Sequence, residues 1–227
     1  MSKEENYRWL KERAEKEGMV LFGVADFTRY DREHYLSPKE IEGLSYAISM
    51  GVRLSKAVLA GIEDGPTLLY SWHYRQANIQ LDKTAFLIAN LIQERGYRSL
   101  PIPASQIVDW RKQVAHLSHK HIARLAGLGW IGRNNLLVTP EYGAQVRLVT
   151  VLTDLPLPVA DRVLPFGCGD CFSCISACPV SALGERAEDY SFERCFDKLT
   201  YFCKKKNLGL YICGICVKAC PGRGVKD

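Results

Sequence analysis

All nine cysteines of this 227-residue chain lie at or beyond Cys168, and their spacing dictates what the C-terminal part folds around. Cys168-x2-Cys171-x2-Cys174-x3-Cys178-Pro179 is the ligand pattern of a chain wrapping two four-iron clusters, the fourth cysteine crossing over to the other cluster. A second run, Cys213-x2-Cys216-x3-Cys220-Pro221, repeats the last three cysteines of that pattern, with Leu210 where the first would stand. A remote thiolate must complete it, and Cys195 and Cys203 are available. The crossover rule assigns Cys168, Cys171, Cys174 and Cys220 to one cluster, and Cys178, Cys213, Cys216 and either Cys195 or Cys203 to the other.

Structural zinc is the competing reading of short Cys-x2-Cys pairs. Zinc sites close with two separated pairs, whereas here a triple is followed by x3-Cys-Pro, and that ending occurs twice. Disulfides ask for an exported chain, and Met1-Ser2-Lys3-Glu4-Glu5 has no secretory character. A radical S-adenosylmethionine triad is excluded, because neither Cys174-x3-Cys178 nor Cys216-x3-Cys220 has a cysteine three residues further on.

At 47% hydrophobic residues, with no apolar run near the length of a membrane span, the chain reads as soluble and cytoplasmic, with one sizeable core and a small appendage. The cysteines draw the boundary: residues 1–160 form a cysteine-free domain, and 161–227 a cluster domain of a size that needs its metal to fold. Leu155-Pro156-Leu157-Pro158 reads as an extended linker. The formal charge of +5 is close to cancelled by two thiolate-ligated cubanes at about two negative charges each. Lys204-Lys205-Lys206 is the one dense basic run, more in keeping with a solvated face than with a docking site.

Patterning in the first domain predicts an amphipathic helix over Glu4 to Glu17 stopped by Gly18, strands over 20–25 and 46–52, and a turn or two of helix over 55–60. The clearest helix runs from Ile79 to Arg95, with Ile79, Phe86, Leu87, Ala89, Asn90 and Leu91 mixed so that one face is apolar, and another spans about Val114 to Ala126. Leu136-Leu137-Val138, a turn over Thr139 to Gly143 and a strand over 146–152 read as an antiparallel hairpin. Gly127-Leu128-Gly129-Trp130-Ile131-Gly132 follows a helix rather than a strand, so a dinucleotide-binding turn fails on context.

The stretch His119 to Asn134, continuing through Leu136 to Gly143, closely resembles the epoxyqueuosine reductase family. Leu152-Thr153-Asp154-Leu155, the Cys168 run, Arg194-Cys195 and the Cys213 run follow in the order found in that family and in the related reductive dehalogenases. The resemblance implies an α+β fold, with a nitroreductase-like N-terminal domain and a C-terminal ferredoxin-like double-cluster domain. It implies two 4Fe-4S clusters passing electrons to a cobalamin, with flavin as the alternative cofactor. It selects Cys195 over Cys203 as the eighth ligand, leaving Cys203 as a spare, buried thiol. No Asp-x-His-x-x-Gly is present, so the implied corrinoid is base-off.

Within that reading Gly129, Trp130, Ile131, Gly132, Arg133 and Tyr142 are the candidate cofactor-binding residues, the glycines letting backbone approach a planar ligand. The family's proton-donating Asp falls at about Gln113 in this sequence, and Gln donates no acidic proton. Asp109 stands one turn away if the stretch is helical, and Tyr74 is the other candidate catalytic residue. His116, His119 and His121 read as polar face residues, and Trp72 and His73 as packed side chains. The expected partners are a low-potential donor such as a ferredoxin or flavodoxin and a small-molecule substrate or corrinoid protein. Without the family's C-terminal repeats, tRNA is not the expected substrate. The rival readings are a pure electron-transfer protein and a corrinoid carrier without turnover.

Overall fold

The computed structural model describes residues 1–222. In chain order the elements are α1 (Lys3–Lys16), β1 (Leu21–Asp26), α2 (Pro38–Ile41), β2 (Tyr46–Arg53), α3 (Lys56–Ala60), α4 (Leu68–Gln93), β3 (Ser99–Ile102) and α5 (His119–Leu125). They continue with β4 (Trp130–Ile131), β5 (Leu137–Val138), β6 (Val146–Thr153), α6 (Ser173–Ala177), α7 (Phe192–Lys205) and α8 (Ile215–Lys218). The chain is thus mixed α and β with small sheets, as expected. It divides into two compact units, one of residues 1–52, 78–128 and 147–164, the other of residues 53–77, 129–146 and 165 onward.

The first unit is built on a four-stranded sheet in the order β1-β2-β6-β3, with β1 antiparallel to β2 and β3 antiparallel to β6. Its central strands alternate little in burial: Ala47 to Val52 and Leu148 to Thr153 are buried throughout, as a sheet covered on both faces requires. α1 opens with a capping box, Ser2 Oγ accepting from Glu5 N at 3.2 Å while Glu5 accepts from Ser2 N at 2.7 Å. Ala25, Phe27, Ala47, Ile102, Ile122, Ala126 and Leu152 form one apolar cluster, closing α5 against β1.

Four expectations need correction. The residues of 136–138 and 146–152 do not pair as a hairpin: β5 pairs with β4, Trp130 opposite Val138, while β6 lies between β2 and β3. A turn length alone names no partner, and β5 is too short to satisfy a strand of eight residues. α4 begins at Leu68, eleven residues before the expected start. Its buried positions in the first unit are Leu81, Ala85, Ile88, Ala89 and Ile92, whereas Ile79 and Phe86 are exposed; the true stripe follows i, i+4, i+7 and i+11. α5 begins only at His119, because Val114 is taken into a bridge with Asp109 across a turn. The Leu155 to Pro158 segment is extended as expected but is no free linker: Leu155 and Leu157 are buried, and Asn6 Nδ2 donates to Pro156 O at 3.0 Å. Among the described residues no helix is long and apolar enough to cross a membrane.

Candidate functional site

All nine cysteines lie in the second unit, and eight of them interact with one another. Cys174, the N-terminal turn of α6, is buried, and its thiol is pushed up to about 11 by that burial and by the negative neighbours Cys220, Cys168 and Cys171. Cys220 in turn interacts with Cys168 and Cys171. Cys213, pushed up to about 11 by burial, interacts with Cys195 and Cys178. Cys216, on α8, is raised by burial and then by Cys213, Cys195, Cys174 and Cys178. Cys203 is a partner in none of these interactions, and it is half-buried rather than buried.

Thiols such as Cys174, Cys213 and Cys216, raised first by burial and then by their neighbours, stay protonated in the bare protein. A polycationic core that takes all four as thiolates relieves both burial and repulsion, so the donor chemistry fits a cluster. Among the described residues no three His, Cys, Asp or Glu side chains are placed to hold a single metal ion. A mononuclear site draws its thiolates onto one atom, whereas a cubane spreads them around a larger cage. α6 and α8, which carry Cys174 and Cys216, pack together, and α3 supports α8. Lys218 fastens that support, its Nζ donating to Ala60 O at 3.0 Å and Ile62 O at 2.5 Å.

The Gly129 to Arg133 stretch serves the first set. Trp130 is buried against Val138 and Ala144, with Cys168 and Cys220 beside it, and its indole N–H donates to Cys168 Sγ at 3.3 Å. Arg133, also buried, donates through Nη1 to Gly169 O at 2.8 Å and Cys171 O at 3.2 Å. Its guanidinium lies 4.3 Å from the Phe172 ring centre and 5.2 Å from that of Phe166. Arg133 Nε and Asn134 Nδ2 are buried donors without a protein partner, a second sign that a polar group belongs here. The glycines have a different duty from the one expected: a Cβ on Gly129 would strike Val138 O, and one on Gly132 would come within 2.5 Å of Val138 Cγ2. They let β4 lie against β5 rather than admit a ligand. Ile131 is the β4 residue opposite Leu137.

The turn after β5 is equally tied to a cysteine. Gly143 has φ +56°, and a Cβ there would collide with Cys220 O and Gly222 N; Ala144 N donates to Cys220 O at 3.0 Å. Tyr142 sits under Arg53, 5.5 Å from ring centre to guanidinium, and its phenol is raised by burial and by Glu141.

The candidate catalytic residues do not converge. Tyr74 is half-buried on α4 against Tyr70, ring centres 6.4 Å apart. Asp109 and Gln113 share a tight turn rather than a helical face: Asp109 Oδ1 accepts from Arg111 N at 2.8 Å and Lys112 N at 3.1 Å, while Gln113 has φ 53° and donates to Trp110 O. Those bonds, from Lys112 first, hold the Asp109 carboxyl below its ordinary range, which suits a turn cap and not a proton donor. His119 is a satisfied core histidine, its Nε2 donating to Pro103 O at 3.0 Å and its Nδ1 meeting Thr150 Oγ1 at 2.8 Å. Burial lowers it to about 4, and His121, bonded to Ser118, is lowered likewise. His73 accepts from Ser55 N at 3.0 Å, as a packed side chain does, but Trp72 is exposed.

Sequence reasoning missed Tyr190, whose hydroxyl donates to Cys195 and is raised by burial and by that bond. It also missed Ser173, bonded to Cys171. Neither stands in a spaced pattern; only a Ser two residues after a ligand would have hinted at the second.

The fold and the paired cysteine sets define a class, a mixed α/β protein whose second unit presents eight thiols in two groups of four. The chain is similar in sequence to epoxyqueuosine reductases, and its fold is also that of a reductive dehalogenase. It is 30% identical over 234 residues to an epoxyqueuosine reductase of Listeria monocytogenes, covering 95% of this chain and 58% of that one. The chain spans about half the length of the curated relatives it matches. An epoxyqueuosine reductase solved with an epoxyqueuosine-modified tRNA-Tyr stem loop shares the fold with a TM-score of 0.62 at 19% identity, over 94% of this chain and 64% of the other. A reductive dehalogenase whose structure suggests a mechanism for B12-dependent dehalogenation has a TM-score of 0.62 at 21% identity, over 77% and 25%. No family model matches the chain.

Proposed function

We propose that this protein is an iron–sulfur reductase in which two 4Fe-4S clusters carry electrons from a low-potential donor, a ferredoxin or flavodoxin, to a reductive site. What supports the reading is the spacing of the two cysteine runs, together with the interaction of Cys174 with Cys168, Cys171 and Cys220 and of Cys213 with Cys178 and Cys195. Each set takes one cysteine from the other run, so the two clusters are held by one interlocked loop system. Such clusters supply single electrons at low potential. The protein's share is to bury the thiolates, supply N–H and O–H donors to sulfur, and exclude water.

In functional terms we read 161–227 as the ferredoxin-like cluster domain and 1–160 as a nitroreductase-like cofactor domain. A base-off corrinoid as the reductive cofactor is supported by a fold neighbour named for B12-dependent dehalogenation. Trp130 and Arg133 are engaged with the Cys168 loop, and Gly129 and Gly132 with strand packing, so these residues are not free to form its cradle. That same engagement favours a second reading, electron transfer alone. For the substrate we propose a small molecule or a corrinoid protein. The relative solved with a tRNA stem loop points the other way, and makes tRNA binding part of the test. We place the protein in the cytoplasm, where clusters are kept reduced.

Anaerobic reconstitution followed by titration with hydroxocobalamin tests the reading. Uptake of about eight irons and one corrinoid with a base-off spectrum supports the reductase. About eight irons without corrinoid leaves electron transfer, and no iron uptake overturns both. A gel-shift with the tRNA stem loop decides between substrate classes.

A further inference from the structure

We propose that Trp130 sets the reduction potential of the cluster held by Cys168, Cys171, Cys174 and Cys220, through the hydrogen bond from its indole N–H to the Cys168 sulfur. The inference rests on the two-cluster reading and adds a role for a residue outside the ligand pattern. The indole is held in place from three sides. Its backbone pairs with Val138 in β4–β5, its ring packs on Val138 and Ala144, and its six-membered edge lies over Gly167, where a Cβ would come within 2.9 Å of it. Gly167 directly precedes Cys168, so the glycine lets the loop pass under the ring and brings the sulfur to 3.3 Å from Nε1. A buried indole N–H needs an acceptor, and Cys168 Sγ is the one it meets.

On a cluster thiolate such a bond is charge-assisted, and stronger when the cluster carries the extra electron. It therefore stabilises the reduced state and raises the potential. Arg133 works in the same direction, since its buried guanidinium is bound to the carbonyls of Gly169 and Cys171 within the same loop.

The test is an EPR-monitored redox titration of the reconstituted full chain, comparing the native protein with Trp130→Phe. Trp130→Phe removes the donor together with the part of the indole over Gly167, and the labelled native protein below reads the bond without any change of packing. One midpoint potential is expected to fall while the other stays, by about 59 mV if the bond changes the oxidised-to-reduced ratio tenfold in a one-electron couple. Unchanged potentials in Trp130→Phe with about eight irons bound overturn this inference alone, whereas no iron in the native chain overturns the two-cluster reading as well. Native protein labelled with 15N-indole tryptophan gives an answer even if the variant loses its cluster. A 15N coupling on a reduced-cluster signal in pulsed EPR supports the bond, and its absence overturns it.

Discussion

A single sulfur separates the two candidates for the eighth ligand. Cys195 interacts with Cys178, Cys213 and Cys216 and accepts from Tyr190, whereas Cys203, two turns along α7, joins neither set. Cys195→Ala is expected to lower iron content from about eight to about four, and Cys203→Ala to leave it unchanged, as read by iron and sulfide assay after reconstitution. His119 gives a prediction in the first unit. Its folded-state value, about 4, lies below the ordinary 6.5, so the stability tied to its neutral form is present above pH 6.5. It is lost as pH falls toward 4, where only the unfolded chain has gained the proton. Between pH 7 and 5 that amounts to about 2 kcal/mol at most. Arg147 and His116, the charged neighbours, act with burial. His119→Gln should flatten the dependence in chemical denaturation followed by circular dichroism.

At the scale of elements, the turn between β5 and β6 packs against Cys220, a ligand on the two-cluster reading. Gly143 is left-handed at φ +56° and faces Cys220 O, so Gly143→Ala strains the turn and displaces a ligand at once. The variant should lose about four irons. Gly96→Ala is the control, with φ +81° and open space at its Cβ; it costs only backbone strain and keeps all its iron. The capping box of α1 is independent of the cysteines. Ser2→Ala removes the acceptor for Glu5 N and should lower stability by about 1 kcal/mol, with iron content unchanged.

For the whole molecule, the two units differ in what holds them. The first has a four-stranded sheet and a contiguous apolar cluster. The second has a two-stranded pair, α7, a few short helices and thiols such as Cys174 and Cys213 that burial pushes up to about 11; on the two-cluster reading, metal binding supplies much of its folding free energy. Removing the clusters with chelator under oxidising conditions should therefore abolish amide protection in 53–77, 129–146 and 165–222. Residues 1–52, 78–128 and 147–164 should keep theirs, as read by hydrogen exchange with mass spectrometry.

The sequence by itself determined the ligand chemistry and much of the local structure. Thiol spacing is written in the chain, and the pairing of Cys220 with the Cys168 run follows from it. α1, β1, β2 and α3 were equally legible, because a local period and a cap or glycine stop define each. Tertiary structure alone decided which strand pairs with β5, where α4 begins and which of its faces is buried. These are choices among partners distant in the chain, and local pattern carries no information about them. The same holds for Trp130, Arg133 and Gly143. As a string they read equally well as a cofactor cradle, and only folding, which brings Cys168, Gly169, Cys171 and Cys220 against them, makes them the support of a sulfur site.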